Sequence, residues 1–176
     1  MILDEIAEKT KQRVAEQKKQ IPLETLQQQA MRMDCSRYGC LRKALQKPSM
    51  TFLCEIKKAS PSKGVIAEEF PYLQIAKEYD AAGADAISIL TEPYYFQGSN
   101  RYLSEIRTQT ELPLLRKDFT VDVYQIYEAK CLGADAILLI CALLQSKELQ
   151  EYLQIARQLG LEALVETHDA EEIQMA

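Results

Sequence analysis

Three apolar runs in this chain end in charged residues. Phe52-Leu53-Cys54 leads into Glu55-Ile56-Lys57-Lys58-Ala59-Ser60-Pro61-Ser62-Lys63. Leu112-Pro113-Leu114-Leu115 leads into Arg116-Lys117-Asp118-Phe119, and Glu166 closes Ala163-Leu164-Val165. Glu55 and Lys57 are two residues apart, so on a strand their side chains share a face. A lone buried charge is costly, so opposite charges should pair there. Each such pair alone is also read as a structural ion pair at a strand end. Gathered in one cavity, Lys57, Lys117, Glu55 and Glu166 would supply a proton donor and a proton acceptor with neither metal nor cofactor. Ser60-Pro61-Ser62 is a turn signal whose hydroxyls and free backbone N–H groups could hold an anion. Phe96 and Phe119 fall on loops beside the strand ends. They are read either as lids over the core or as two walls sandwiching a flat ring.

Several other chemistries are disfavoured. The net charge is −5 with both signs interleaved, so no basic stripe marks a nucleic-acid surface. No apolar stretch approaches the ~20 residues that cross a bilayer. Met1-Ile2-Leu3-Asp4-Glu5 lacks the basic and then apolar segments of a secretory signal. Cys35, Cys40, Cys54, Cys131 and Cys141 are odd in number, form no Cys-x-x-Cys pair, and read as buried reduced thiols of a cytoplasmic protein. The single histidine, His168, is too little for zinc. There is no Gly-x-Ser-x-Gly elbow to present a nucleophile and no Gly-x-Gly-x-x-Gly to cradle a dinucleotide.

The elements that must position the charges follow from periodicity. Leu3, Ile6, Thr10 and Val14 share one face of a helix that Pro22 stops. Further helical pieces span 23–29 and 36–46, and Pro48 closes this leader, giving a helical extension over 1–48 and a main body over 49–176. Strands are then expected at 51–56, 86–90, 112–115, 136–140 and 162–165, with helices over 70–82, 102–110, 121–132 and 146–159. Tyr72, Ile75, Ala76, Tyr79 and Ala82 line the inner face of the first of these helices. Asp169 and Glu172 have the spacing of a capping box opening one more. Ala82-Gly83-Ala84-Asp85-Ala86-Ile87 recurs as Leu132-Gly133-Ala134-Asp135-Ala136-Ile137, with a looser copy from Gly160.

Apolar strands alternating with helices imply an α/β fold with a parallel sheet. The pattern fits about five βα units of a (β/α)8 TIM barrel, which usually needs about 250 residues. An open doubly wound sheet of the flavodoxin kind is the alternative.

With these motifs in hand, the chain resembles the indole-3-glycerol-phosphate synthase family of the tryptophan pathway. The likeness rests on Glu55 to Gly64, Ile89-Leu90-Thr91-Glu92 with Phe96-Gln97-Gly98-Ser99, Leu115 to Phe119, and Leu164-Val165-Glu166. It implies a lyase that closes, decarboxylates and dehydrates 1-(2-carboxyphenylamino)-1-deoxyribulose 5-phosphate, a phosphorylated small molecule. On this resemblance, Lys117 matches the general acid and Glu166 the acid/base group. Lys57 matches the lysine holding the substrate carboxylate, and Glu55 the residue that balances the lysines. Ser60 and Pro61 match residues lining the substrate site, and Phe96, Phe119 and Leu138 the apolar pocket for the aromatic ring. The resemblance also implies that the phosphate-binding residues lie beyond Ala176, and that the five strands leave two open sheet edges. Other readings are a different phosphosugar barrel, or a non-catalytic barrel fragment that associates with itself or with a complementary half through those edges.

Overall fold

Alternation of side chains along each strand builds two different cores on the two faces of one sheet. In the computed structural model, which describes residues 2–176, three helices come first: α1 (Ile2–Gln20), α2 (Leu23–Met31) and α3 (Cys40–Leu45). Then follow β1 (Leu53–Ile56), a small hairpin of β2 (Ala59–Ser60) and β3 (Gly64–Val65), α4 (Tyr72–Ala81), β4 (Ala86–Leu90), α5 (Asn100–Arg107) and β5 (Leu114–Lys117). The chain continues through α6 (Val123–Cys131), β6 (Ala136–Ile140), α7 (Ser146–Gln158), β7 (Glu162–Glu166) and α8 (Ala170–Met175). None of the described helices is long and apolar enough to cross a membrane.

The main sheet is parallel with order β1-β4-β5-β6-β7. Each strand pairs with the next one in the chain, so there is no reversal of strand order. A doubly wound sheet requires such a reversal, so the order selects the arc of a barrel. Ile56, Ile87, Ile89, Leu114, Ile137 and Leu139 pack against α4 to α7 in the larger core. The intervening Ala86, Leu115 and Ala136 face the other way and are covered by Leu41 and Leu45 of α3. Thus the leader plugs the inner face at the strands' N-terminal ends and leaves their C-terminal ends free for a site.

The repeated turn also has a structural task. Asp85 accepts the Phe52 N–H at 2.9 Å, and Asp135 accepts the Leu114 N–H at 2.9 Å. In the third copy Glu162 accepts the Leu41 N–H at 2.8 Å. Each acid ties the start of a neighbouring element to its own strand. Gly133 adopts φ +84 after α6, a backbone state in which a Cβ would be strained.

Some boundaries differ from the sequence expectation. The third helix starts at Cys40, because Gly39 at φ +86 holds a turn before it. β5 runs over Leu114–Lys117, so Lys117 is its last strand residue. Pro113 has no N–H for the ladder; its carbonyl instead accepts the Ile87 N–H at 3.0 Å. Ser60-Pro61-Ser62 forms the turn of an unforeseen hairpin. Ala82 is exposed rather than on the inner face of its helix. Of the five free cysteines only Cys141 is buried; Cys35 is exposed and the rest are half-buried. Asp169 caps α8 by accepting the Glu172 N–H, but Glu172 returns its bond to the His168 N–H, one residue earlier than a capping box requires.

After β4 the chain doubles back on the strand. The Gly98 N–H donates to the Glu92 carbonyl at 2.7 Å, and a Cβ at Gly98 would press into the Leu90 carbonyl while lying 2.9 Å from the Glu92 oxygen. Backbone offers no flexible side chain to move aside. Gly98→Ala should therefore lower stability by about 1–3 kcal/mol, read as a reduced urea midpoint with unchanged slope; a midpoint equal to wild type would contradict the close approach.

Candidate active site

Glu55 sits between two lysines. Its Oε1 is 2.5 Å from the Lys57 ammonium and its Oε2 is 3.1 Å from the Lys117 ammonium. The sheet register explains how β1 and β5 meet. Glu55 is aligned with Ser88 of β4, and Ser88 with Leu115 of β5. Ser88 is small, so nothing bulky on that face keeps the long side chains apart. Burial pushes the Glu55 carboxyl up, but the Lys57 hydrogen bond and the Lys117 charge outweigh it, and the net shift is downward.

These groups open into a cavity of about 400 Å³. Its lining joins Glu55, Lys57, Phe96, Lys117, Phe119, Leu138 and Glu166, seven of the residues singled out from sequence. Leu90 and Ile140 extend the apolar floor, and Leu3 of α1 adds a wall. The Phe96 and Phe119 ring centroids lie 5.9 Å apart, tilted by 39°. A ring between two others needs about 7 Å, twice a van der Waals contact, so the pair is one continuous wall rather than a sandwich. Ser60 and Pro61 line an adjoining hollow instead, which shares Lys57 and Phe96 with the first. Glu166 reaches the cavity from the end of β7, where its carboxylate lies 3.2 Å from His168 Nε2.

Sequence reasoning missed the support beneath this cavity. Arg116 points to the helix side of β5, opposite Lys117, and is 2% exposed. Its guanidinium donates to the Gln125 carbonyl (2.9 Å), Asn100 (3.0 Å), Asp118 (3.1 Å), Thr91 (3.1 Å) and Glu128 (2.5 Å). Asp118 is equally buried and receives both oxygens' worth of Arg13 from α1, at 2.9 and 3.0 Å, plus the Thr91 hydroxyl at 2.8 Å. Its Oδ1 also accepts the Phe119 N–H at 2.9 Å. The one available sequence signal was alternation, which assigns Arg116 to the helix side once Lys117 is placed inside. Glu92, which nothing local in the sequence marks, is fully buried and accepts the N–H groups of Tyr94, Tyr95 and Phe96 at 2.9, 2.7 and 3.0 Å. The Phe96 carbonyl in turn accepts the Ala59 N–H at 3.2 Å, joining this loop to the hairpin after Lys57.

Magnitudes rank these contacts. The exposed Lys19–Glu16 pair, with both side chains over 60% accessible, belongs to a class worth under about 1 kcal/mol. Removing one partner of a buried pair costs about 3–5 kcal/mol, and Arg116–Asp118 is of that kind.

The chain has relatives along its whole length. The family model described as indole-3-glycerol phosphate synthase matches residues 3–176. A protein of that name from Ruminiclostridium cellulolyticum is 52% identical over 176 residues, all of this chain and 68% of the relative. Its namesakes from Endomicrobium trichonymphae and Lacticaseibacillus paracasei are 50% and 49% identical, again over the whole of this chain and 68% of theirs.

The Asp118 carboxyl is raised by burial and lowered more by Arg116, Arg13 and Thr91, so its folded value lies below the ordinary one. Its stabilising effect is therefore present above about pH 4 and is lost as pH falls through the depressed value. Asp118→Asn should destabilise by about 3–5 kcal/mol at neutral pH and flatten the acid limb of a stability–pH curve. Parallel curves for the two proteins would refute the assignment.

Proposed function

This chain belongs to the indole-3-glycerol phosphate synthase family, and from that premise we propose how its charged cavity divides the family's chemistry. The fold is the (β/α)8 barrel, of which the five-stranded sheet forms an arc. The function is that of a carboxy-lyase in tryptophan biosynthesis, which turns 1-(2-carboxyphenylamino)-1-deoxyribulose 5-phosphate into indole-3-glycerol phosphate, CO2 and water. The chain spans 68% of the length of its relatives.

In this reading Lys117 gives a proton to the ketone oxygen as the ring closes. Lys57 holds the substrate carboxylate beside it. Glu55 keeps both ammonium groups aimed, because it contacts each at once. Glu166 exchanges protons from the opposite wall during ring closure and dehydration. The aromatic ring of the substrate rests against Phe96 and Phe119 over Leu138. Ser60 and Pro61 border the adjoining hollow, where a polar end of the substrate would extend from Lys57. The observation carrying this reading is the Lys57–Glu55–Lys117 bridge opening onto an aromatic wall. Five free cysteines support a reducing, cytoplasmic setting.

A second observation favours an association between chains. Among the described residues β1 and β7 each pair on one side only, and Phe52, Leu53 and Leu164 beside these edges are 55%, 36% and 39% exposed. Unpaired parallel edges are templates for another chain. We place self-association, or pairing with a complementary half-barrel, at these edges.

The chain contains no tryptophan, so indole emission reports product alone. Lys117→Ala should lower the rate of its appearance by about a hundredfold or more, and near-normal turnover would remove Lys117 from its role. Sedimentation velocity over a range of concentrations should show a rising average mass; a constant monomer would rule out edge association.

A further inference from the structure

Among the described residues no cation forms an ion pair with the Glu92 carboxylate. It is 0% exposed, and its hydrogen-bond partners are three successive backbone amides, those of Tyr94, Tyr95 and Phe96. Consecutive N–H groups converging on one point form an anion-binding nest. Here the nest is filled by the chain's own side chain. The loop around it is fixed from several directions. Gln97 takes φ +49, which a non-glycine residue rarely adopts. Gly98 is pressed against β4, and the Phe96 carbonyl is held by Ala59. Two of these restraints hold the Phe96 backbone itself, at its N–H and its carbonyl, and the others fix its immediate neighbours.

We propose that Glu92 is a positioning residue for substrate affinity, which sets the Phe96 ring by holding three amides in one nest. The proposal rests on the reading of the cavity as the seat of the substrate's aromatic ring. The physical argument turns on acceptor number. A carboxylate offers two oxygens and about four lone-pair sites, enough for three donors. A glutamine of the same shape has one oxygen, and its amino group would face an N–H donor. At least one amide must then lose its partner beside a side chain that is itself 0% exposed, and a part-buried donor left unpartnered destabilises the loop that carries it. The loop would rotate, and the Phe96 ring would leave its place beside Phe119. Glu92 itself lines neither hollow and touches no reacting group, so its effect on the substrate must pass through Phe96.

That route can be measured with a double-mutant cycle between Glu92→Gln and Phe96→Leu. The probe is indole-3-glycerol phosphate, followed by its own indole fluorescence. Glu92→Gln should weaken binding of this product and raise KM by about tenfold while kcat changes less than about twofold, the pattern of lost uniform binding. In the Phe96→Leu background the same substitution should weaken binding no further, because directly linked residues are not additive. Additive losses, or unchanged affinity in Glu92→Gln, would overturn the proposal. Amide hydrogen exchange at residues 94–96 supplies a readout free of any ligand: protection should fall in Glu92→Gln, and retained protection would overturn the proposal too. Should Glu92→Gln not fold, Glu92→Asp, which keeps the charge but is one methylene shorter, is measured in the same cycle with the same outcomes. A wild-type protein that binds no product would defeat the reading of the cavity, and the exchange data would still decide whether Glu92 holds Phe96.

Discussion

One buried carboxylate, that of Asp118, organises the C-terminal end of the sheet. It stands between Lys117 and Phe119 in sequence, so fixing it fixes a proton donor on one side and an aromatic wall on the other. Three separate parts of the chain supply its partners: Arg116 from β5 itself, Thr91 from the end of β4, and Arg13 from α1. A buried ion is stable only when its lone pairs are satisfied. Arg13 supplies two of the five bonds that Asp118 accepts, so the full set forms only when α1 docks where it does. The leader is thereby tied to the site, and Leu3, on the same helix, reaches the cavity wall. Order at the site therefore depends on the docking of a helix far away in sequence.

The same division runs through the whole sheet. On the helix side the strands are almost uniformly apolar, and the cost of the one exception, Arg116, is offset by five acceptors. On the inner face the character changes along the strands. Ala86, Leu115 and Ala136 are sealed by α3, whereas one step further on the residues are Glu55, Lys117, Leu138 and Glu166. The inner face is thus apolar where it must be closed and charged where it must bind. In a barrel enzyme the two ends of the strands are expected to divide stability from chemistry in this way.

Much of this was legible in the sequence, for a physical reason. Strand and helix periods are local, and the Gly-Ala-Asp repeat marks the same turn in each unit, so the five strands and four of the connecting helices could be placed. Convergence of Glu55, Lys57, Lys117 and Glu166 followed from their equivalent positions at strand ends. What could not be read was long-range. Nothing near Glu92 says that its partners are amides two to four residues on. Nothing near Arg13 says that its partner is Asp118. The β2–β3 hairpin is too short to have a period, and its turn residues carry only a loop signal. The apolar run that predicts β5 begins two residues before the strand does, because Pro113 has no N–H for the ladder. The cysteines were expected inside because thiols usually are, but burial depends on which face each occupies, and only Cys141 lies fully inside.

Arg116 and Lys117 are adjacent cations with opposite tasks, and their chemistry suits each to its own side. The guanidinium of Arg116 presents N–H donors in a rigid plane and reaches five acceptors through its three nitrogens, which offsets the cost of burying it. An ammonium there would leave at least two acceptors without donors. Lys117 needs the reverse. Its single charge sits on a flexible stem, is 37% accessible, and touches one carboxylate oxygen, which leaves other N–H bonds free for a substrate. A guanidinium in that place could not give up its proton, because it does not deprotonate in proteins. The period of two along a strand therefore separates a structural cation from a chemical one across a single peptide bond, and neither residue type can do the other's work.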